Sequence, residues 1–141
     1  MAKITGIHHI ALVVPELEQA LKFWRDVLGL PLQGVNDMPE QASRIAFLPA
    51  GGGEVELVQP ITADSGVAKF LQKRGPGIHH VCFETDDLDG MIDLLKRKGV
   101  RLIGEKPSTG AGGQRMIFVH PESAGGVLVE LYESGIDGGK P

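Results

Sequence analysis

Apolar residues along the chain follow two spacings, an alternation that is typical of strands and a spacing of three to four that is typical of helices. The helical spacing predicts longer helices within residues 15–28 and 86–99 and a shorter one over about 64–74. The alternation predicts eight strands, at about residues 5–14, 31–35, 43–48, 54–59, 77–85, 101–104, 114–119 and 126–132. A strand, a helix and three further strands therefore follow one another twice.

Both longer helices carry recognisable end signals. In the first, Pro15 stands near the start, and the predicted apolar face comprises Leu17, Ala20, Leu21, Trp24 and Leu28. The second opens with acidic residues and closes with Lys96, Arg97 and Lys98 before Gly99. Acidic residues at the start and basic residues at the end stabilise the helix dipole, and glycine is common just beyond the last turn. These signals support both helices independently of the apolar spacing.

The two halves of the chain repeat one another. "GIHHI" at residues 6–10 recurs 71 positions later as "GIHHV" at 77–81, and "VELVQ" at 55–59 recurs as "VELYE" at 129–133. A period this long is not that of a solenoid. We therefore predict an α+β fold with two βαβββ modules, at about 5–60 and 77–133, that form a curved, mixed eight-stranded sheet around a metal cavity within a single domain, with a flexible tail at 134–141.

Each repeated phrase contains two histidines, and strand alternation indicates which one of each pair faces a cavity. The small residues Ala11 and Cys82 share a strand face with His9 and His80, while bulky residues occupy the other face. Small side chains leave room, so we expect this face to line the cavity. The first histidine of each pair is expected to be structural.

Two glutamates occupy matching places in the repeat. Glu56 and Glu130 each lie in an otherwise apolar strand, where a carboxylate is costly unless it is paired, protonated or bound to a metal. Together with His9 and His80 they predict a divalent cation site. Mixed nitrogen and oxygen donors suit Co, Mn, Ni or Zn better than Ca. The alternative is an old duplication that is retained for packing alone.

Composition narrows the function further. The chain has 141 residues, a net charge of −4 and a single cysteine. The charge argues against nucleic acid as a partner, and one cysteine excludes an intrachain disulfide and suits a cytoplasmic protein. We expect no signal peptide and no membrane span, because no apolar stretch is long enough.

Several stretches resemble the vicinal oxygen chelate superfamily, which includes glyoxalases, bleomycin-resistance proteins and dioxygenases. From about residue 5 to 133 the chain is similar to the methylmalonyl-CoA epimerase family within it. The stretches that carry this resemblance are "HHIALVVPELEQALKFWRDVLGL", "VELVQPI", "VAKFLQKRGPGIHHVCFETDDLD", "GAGGQRMIFVHP" and "GVLVEL".

The resemblance implies metal ligation by His9, Glu56, His80 and Glu130, in agreement with the strand-face argument. It implies an acyl-CoA substrate, with the 2R and 2S forms of methylmalonyl-CoA interconverted by α-proton abstraction through a metal-stabilised enolate. A homodimer is also implied.

The chain departs from the epimerase pattern at two positions. Ile45 stands where some bacterial epimerases have a catalytic glutamate, and Glu122 stands where the family often has lysine. Because inversion needs an acid and a base on opposite faces of the carbon, we expect Glu130 and Glu56 to supply them.

Other functions remain open. A lactoylglutathione lyase, or a related metal-dependent isomerase or lyase, would use the same four ligands. Ring-cleavage dioxygenases use a 2-His-1-carboxylate triad, so the additional Glu56 argues against them. Non-catalytic binding proteins of the superfamily lack the ligand set. The sequence also leaves open whether Tyr132 lines the cavity and whether Arg115 binds an anionic group. His120 is expected to be structural.

Overall fold

The computed structural model describes residues 1–110 and 113–134. Of the flexible tail predicted at 134–141, all but residue 134 lies outside the described part of the chain. The chain divides into two compact units. The first unit comprises His9–His79, and the second comprises Met1–His8 together with the described residues from His80 onward.

Eight strands and three α-helices form the two units. In chain order they are β1 (Ile4–Val13), α1 (Leu17–Leu21), β2 (Gly34–Met38), β3 (Ser43–Ala50), β4 (Gly53–Pro60), α2 (Gly66–Arg74), β5 (Gly77–Thr85), α3 (Leu88–Arg97), β6 (Leu102–Thr109), β7 (Arg115–Val119) and β8 (Val129–Glu133). A π-helical segment, Lys22–Val27, continues α1, and single 3₁₀ turns lie at Pro39–Gln41 and Pro121–Ser123.

Both units have the same strand connectivity. In the first, the strands lie in the order β2-β3-β4-β1, and in the second in the order β5-β8-β7-β6. The pairs β1–β4 and β5–β8 are parallel, and the remaining pairs within each unit are antiparallel. The predicted α+β class with two βαβββ repeats of mixed strands is therefore confirmed.

One face of each sheet is covered by a helix. In the first unit the apolar cluster beneath α1 comprises Leu12, Val14, Leu17, Leu21, Ala46, Leu48 and Leu57. In the second, the cluster beneath α3 comprises Leu88, Met91, Ile92, Ile117, Val119 and Leu131. The alternate strand residues form two smaller clusters on the opposite faces, Ala11 with Ile45 and Val58, and Cys82 with Met116 and Tyr132.

The start of each longer helix is tied to the end of a strand. Leu17 N donates to Gln59 Oε1 over 2.8 Å in the first unit, and Leu88 N donates to Glu133 Oε2 over 3.3 Å in the second. Gln59 and Glu133 occupy matching places in the sequence repeat. Since the first backbone N–H groups of a helix lack partners within it, these contacts satisfy a donor and also position the helix on its sheet.

The predicted apolar face of the first helix is wrong at Leu28, which is 53% exposed. Leu28 N donates to Phe23 O over 2.8 Å, a five-residue step that defines a π-helical turn. The wider turn rotates Leu28 away from the face that Leu17 and Leu21 bury.

Three strands depart from their predicted bounds by three residues or more. The second strand begins at Gly34 rather than 31, because Leu30 and Leu32 pack against the core instead of entering a ladder. The sixth strand extends to Thr109 with an irregular register after Ile103. The eighth begins at Val129 because the preceding residues form a turn in which Gly125 and Gly126 have positive φ. Among the described helices, none has the length and apolar character needed to cross a membrane.

Candidate metal centre

The first unit contains a buried histidine–glutamate pair. His9 Nδ1 lies 3.3 Å from Glu56 Oε2, and the two residues are 1% and 5% exposed. Glu56 stands opposite Ala11 in the parallel ladder between β1 and β4, and Ala11 lies on the sheet face away from α1. Both members of the pair therefore project from the face opposite α1, as the strand alternation indicates. Val67 of α2 packs on the same face against the cluster that contains Ala11.

The second unit contains the equivalent pair. His80 Nε2 lies 2.9 Å from Glu130 Oε1, with side chains 13% and 6% exposed. Glu130 stands opposite Cys82 in the β5–β8 ladder, on the face away from α3. Phe118 packs edge-on against the His80 ring, with centroids 5.5 Å apart and planes at 87°.

Both pairs satisfy a buried carboxylate with an imidazole nitrogen. A buried ionised carboxylate is strongly disfavoured unless a hydrogen bond, an opposite charge or a metal compensates it. Imidazole nitrogen and carboxylate oxygen are also donors of the kind that bind Co, Mn, Ni and Zn. The residues in each unit therefore fit a divalent cation.

Ile45 lies on the same face as Glu56. It is 2% exposed, stands opposite Val58 in the antiparallel β3–β4 ladder and packs with Ala11 and Val58. The position at which some epimerases have a glutamate thus carries an apolar side chain in apolar surroundings. Any second acid or base must come from another residue.

Arg115 is held within the second unit by two carboxylates. Its guanidinium donates to Glu133 Oε1 over 2.8 Å and to Asp89 Oδ1 over 2.7 Å. These hydrogen bonds, the one to Asp89 first, raise the pKa of Arg115. Arg115 therefore joins β7, β8 and the first turn of α3, and its charge is compensated.

The remaining histidines of the sequence analysis make packing contacts. The His8 ring lies 4.7 Å from the buried Tyr132 ring, and the His79 ring lies edge-on to Phe70 of α2 at 4.9 Å. His120 Nδ1 accepts from Glu122 N over 3.0 Å and caps the 3₁₀ turn that follows. Each of the three thus has a packing or capping contact, and their structural role stays a prediction.

Gln114 has a buried polar atom that sequence reasoning did not identify. Its Oε1 is buried and, among the described residues, accepts no hydrogen bond. The glycine-rich stretch around it signalled only a turn. An unsatisfied buried acceptor is a property of the folded chain, so the sequence carried no local signal for it.

Comparison with known proteins agrees with this architecture. The model of the glyoxalase/bleomycin resistance protein/dioxygenase superfamily matches residues 8–118. The mitochondrial methylmalonyl-CoA epimerase of Mus musculus is 40% identical over 94% of this chain and 75% of its own length. A probable chloroplastic lactoylglutathione lyase of Arabidopsis thaliana is 30% identical, over 90% of this chain and 35% of its own length.

Among solved structures, a Streptomyces coelicolor methylmalonyl-CoA epimerase variant in complex with 2-nitronate-propionyl-CoA has a TM-score of 0.87. It is 34% identical, over 95% of this chain and 97% of that one. The chain therefore belongs to the glyoxalase/bleomycin resistance protein/dioxygenase superfamily and, within it, to the family of the methylmalonyl-CoA epimerases.

Proposed function

We propose that this protein is a methylmalonyl-CoA epimerase that interconverts the 2R and 2S forms of its substrate by removing and returning the α-proton. The observation that carries the proposal is the buried imidazole–carboxylate pair at the same place in both units. The pairs occur in a chain that is 40% identical to the mouse enzyme of that name. A reaction at an α-carbon needs a base that is held close to the proton and shielded from water.

We further propose that His9, Glu56, His80 and Glu130 together hold one divalent cation, Co, Mn, Ni or Zn. When bound, the cation would polarise the acyl carbonyl and stabilise the negative charge that develops as the α-proton leaves. The support is the donor chemistry of the two pairs, their burial and the family resemblance of the sequence around them.

Glu130 and Glu56 are the proposed acid and base. The two carboxylates occupy matching places in the two units, and inversion at a carbon needs one acid and one base. The hydrogen-bond distance from His80 to Glu130 fixes the orientation of that carboxylate. With Ile45 apolar, the Glu56 face offers no carboxylate at the position that some relatives use.

Apolar side chains surround both pairs. Ile45 and Val58 lie on the Glu56 face, and Met116 and Phe118 lie on the Glu130 face. They limit access of water to the carboxylates, and charge interactions are stronger where water is excluded. The same exclusion would protect a carbanion-like intermediate from unspecific reprotonation.

Deuterium exchange at the α-carbon tests the function directly. In deuterated buffer with added Co²⁺, the protein should exchange the α-proton of (2R)- or (2S)-methylmalonyl-CoA and equilibrate the two epimers. If no exchange occurs with any of the four metals, while the methylglyoxal–glutathione adduct is isomerised, the protein is a lactoylglutathione lyase and the proposal fails.

The family resemblance implies a homodimer, and the single cysteine suits a cytoplasmic protein; both are part of the proposal. The acyl-CoA is the proposed small-molecule partner. Sedimentation of the purified protein tests the dimer, with a mass of about twice 15.1 kDa expected.

A further inference from the structure

Gln114 presents a buried hydrogen-bond acceptor that no described residue uses. Its Oε1 is buried and accepts no hydrogen bond among the described residues. Most buried polar atoms in folded proteins have a partner, and one without a partner calls for a reason such as a ligand. Because the atom is an acceptor, a ligand group that forms a hydrogen bond with it must carry an N–H or O–H.

The backbone fixes the position of Gln114. Gly110 N donates to Gln114 O over 2.8 Å, and Gly113 N donates to Gly110 O over 3.0 Å. Gly110 in turn lies against the Tyr132 ring, so closely that a Cβ there would be 2.8 Å from Tyr132 Oη. Gly110 is therefore seated on a buried aromatic ring that is 3% exposed.

Gln114 belongs to the face that carries the His80–Glu130 pair. It alternates with Met116 and Phe118 in sequence, and both pack on that face, whereas the intervening Arg115 reaches Asp89 of α3. Gln114 directly precedes β7. The alternation of the strand, extended back by this one residue, assigns its side chain to the same side of the sheet as Glu130.

Strand geometry gives the distance between Gln114 and the row of the sheet that contains Glu130. Phe118 stands opposite Glu130 in the ladder between β7 and β8. At a rise of about 3.3 Å per residue, Gln114 lies roughly 13 Å along the strand from that row. The thioester arm of an acyl-CoA carries two amide N–H groups, at roughly 5 Å and roughly 9 Å from the thioester carbon in an extended chain. The farther amide is the one that reaches Gln114 when the acyl group lies a few Å from Glu130.

We propose that Gln114 Oε1 accepts a hydrogen bond from the amide N–H of the pantetheine arm that lies farther from the sulfur. Gln114 is then a binding residue that recognises the carrier of the acyl group and takes no part in the proton transfer. The inference rests on the proposed function, since it requires an acyl-CoA substrate.

Three methylmalonyl thioesters test this assignment: the CoA and pantetheine thioesters carry both amides, and the N-acetylcysteamine thioester carries only the nearer one. The variant Gln114→Met keeps the volume of the side chain and removes the acceptor. It should raise KM about fivefold to tenfold for the CoA and pantetheine thioesters, as the loss of one hydrogen bond predicts. The KM for the N-acetylcysteamine thioester and kcat for all three should stay within twofold.

Two controls separate binding from structure. Gln19→Met, at an exposed position of α1, should leave every KM unchanged. The melting temperature of Gln114→Met should be no lower than that of the wild type, because the substitution removes an unsatisfied buried acceptor. A lower melting temperature with equal changes for all three thioesters would identify a structural role and overturn the assignment.

The wild type distinguishes the two proposals. If it epimerises methylmalonyl-CoA and Gln114→Met leaves all three KM values unchanged, the assignment of Gln114 is wrong and the proposed function stands. If the wild type epimerises none of the three thioesters, the proposed function fails and the assignment fails with it.

Discussion

His80 Nε2 lies 2.9 Å from Glu130 Oε1 on neighbouring parallel strands of the second unit. In the first unit, His9 and Glu56 form the equivalent pair, and their strands, β1 and β4, are also neighbouring and parallel. Each unit thus carries one imidazole and one carboxylate on the face opposite its longer helix, α1 or α3. The duplication visible in the sequence is therefore a duplication of a donor pair as well as of a fold.

The role of Glu56 as an acid or base can be tested by Glu56→Gln. The substitution keeps the size of the side chain and an oxygen that can bind a metal, but it removes the proton-transferring carboxylate. We expect kcat for methylmalonyl-CoA in an epimerisation assay to fall about 100-fold or more. Elemental analysis should show that the metal content is retained. The exposed Glu40→Gln serves as the control. Full activity in metal-loaded Glu56→Gln would eliminate the two-glutamate scheme.

The contact between Gln59 and the start of α1 should contribute to stability. Glu16, the residue that precedes the helix, makes no capping side-chain bond, so Gln59 supplies the acceptor for Leu17 N. Gln59→Leu should lower the free energy of unfolding by about 1–2 kcal/mol because a partly buried N–H loses its partner. Urea unfolding measures the change. A loss no larger than that of Gln19→Leu would mean that the contact is dispensable.

Acid should weaken the ion pair between Asp37 of β2 and Arg44 of β3. The hydrogen bond from Arg44 Nε to Asp37 Oδ1 lowers the pKa of Asp37 below its ordinary value of 3.8. A lowered pKa means that the stabilisation is present above pH 3.8 and is lost as the pH falls through the lower value in the folded protein. Asp37→Asn should therefore flatten the acid limb of the stability profile slightly. Because the pair is exposed, high salt should reduce the difference, and a difference that persists in 1 M salt would contradict this.

Gly110 is predicted to tolerate no side chain. A Cβ there would lie 2.9 Å from the Tyr132 ring and 2.8 Å from its hydroxyl, and the ring is buried. Gly110→Ala should cost about 1–3 kcal/mol of stability through overpacking. It should also raise KM for the acyl-CoA by displacing Gly110, whose N–H donates to Gln114 O. Gly52→Ala is a suitable control, because a Cβ at Gly52 meets nothing within 4 Å. If Gly110→Ala has the same free energy of unfolding and the same KM as the control, Tyr132 moves aside freely and the prediction is wrong.

Local signals predicted much of the fold. β5 was predicted at its observed bounds, and α3 at nearly its own, because apolar spacing, an acidic start and Gly99 all agreed. Leu28 was misplaced because a π-helical turn depends on backbone hydrogen bonds that residue spacing does not reveal. The starts of β2 and β8 were misplaced because pairing and turn geometry set them.

The sequence predicted one part of the candidate site, and another part depends on the folded chain. Small neighbours at Ala11 and Cys82 identified the histidines that lie beside buried carboxylates, because strand alternation is a local rule. Gln114 was missed because an unused acceptor exists only once the turn is folded against Tyr132. That the two pairs share one cation stays a prediction, since it depends on the metal itself.

Calorimetric titration of the metal-free protein with Co²⁺ tests the shared site most directly. If His9, Glu56, His80 and Glu130 hold one ion, the wild type should bind one Co²⁺ per chain. His9→Ala and His80→Ala should then each weaken binding at least tenfold, because each removes a ligand of the same ion. Two Co²⁺ ions per chain, or affinity that survives the loss of either histidine, would mean that each pair acts alone and would contradict the account.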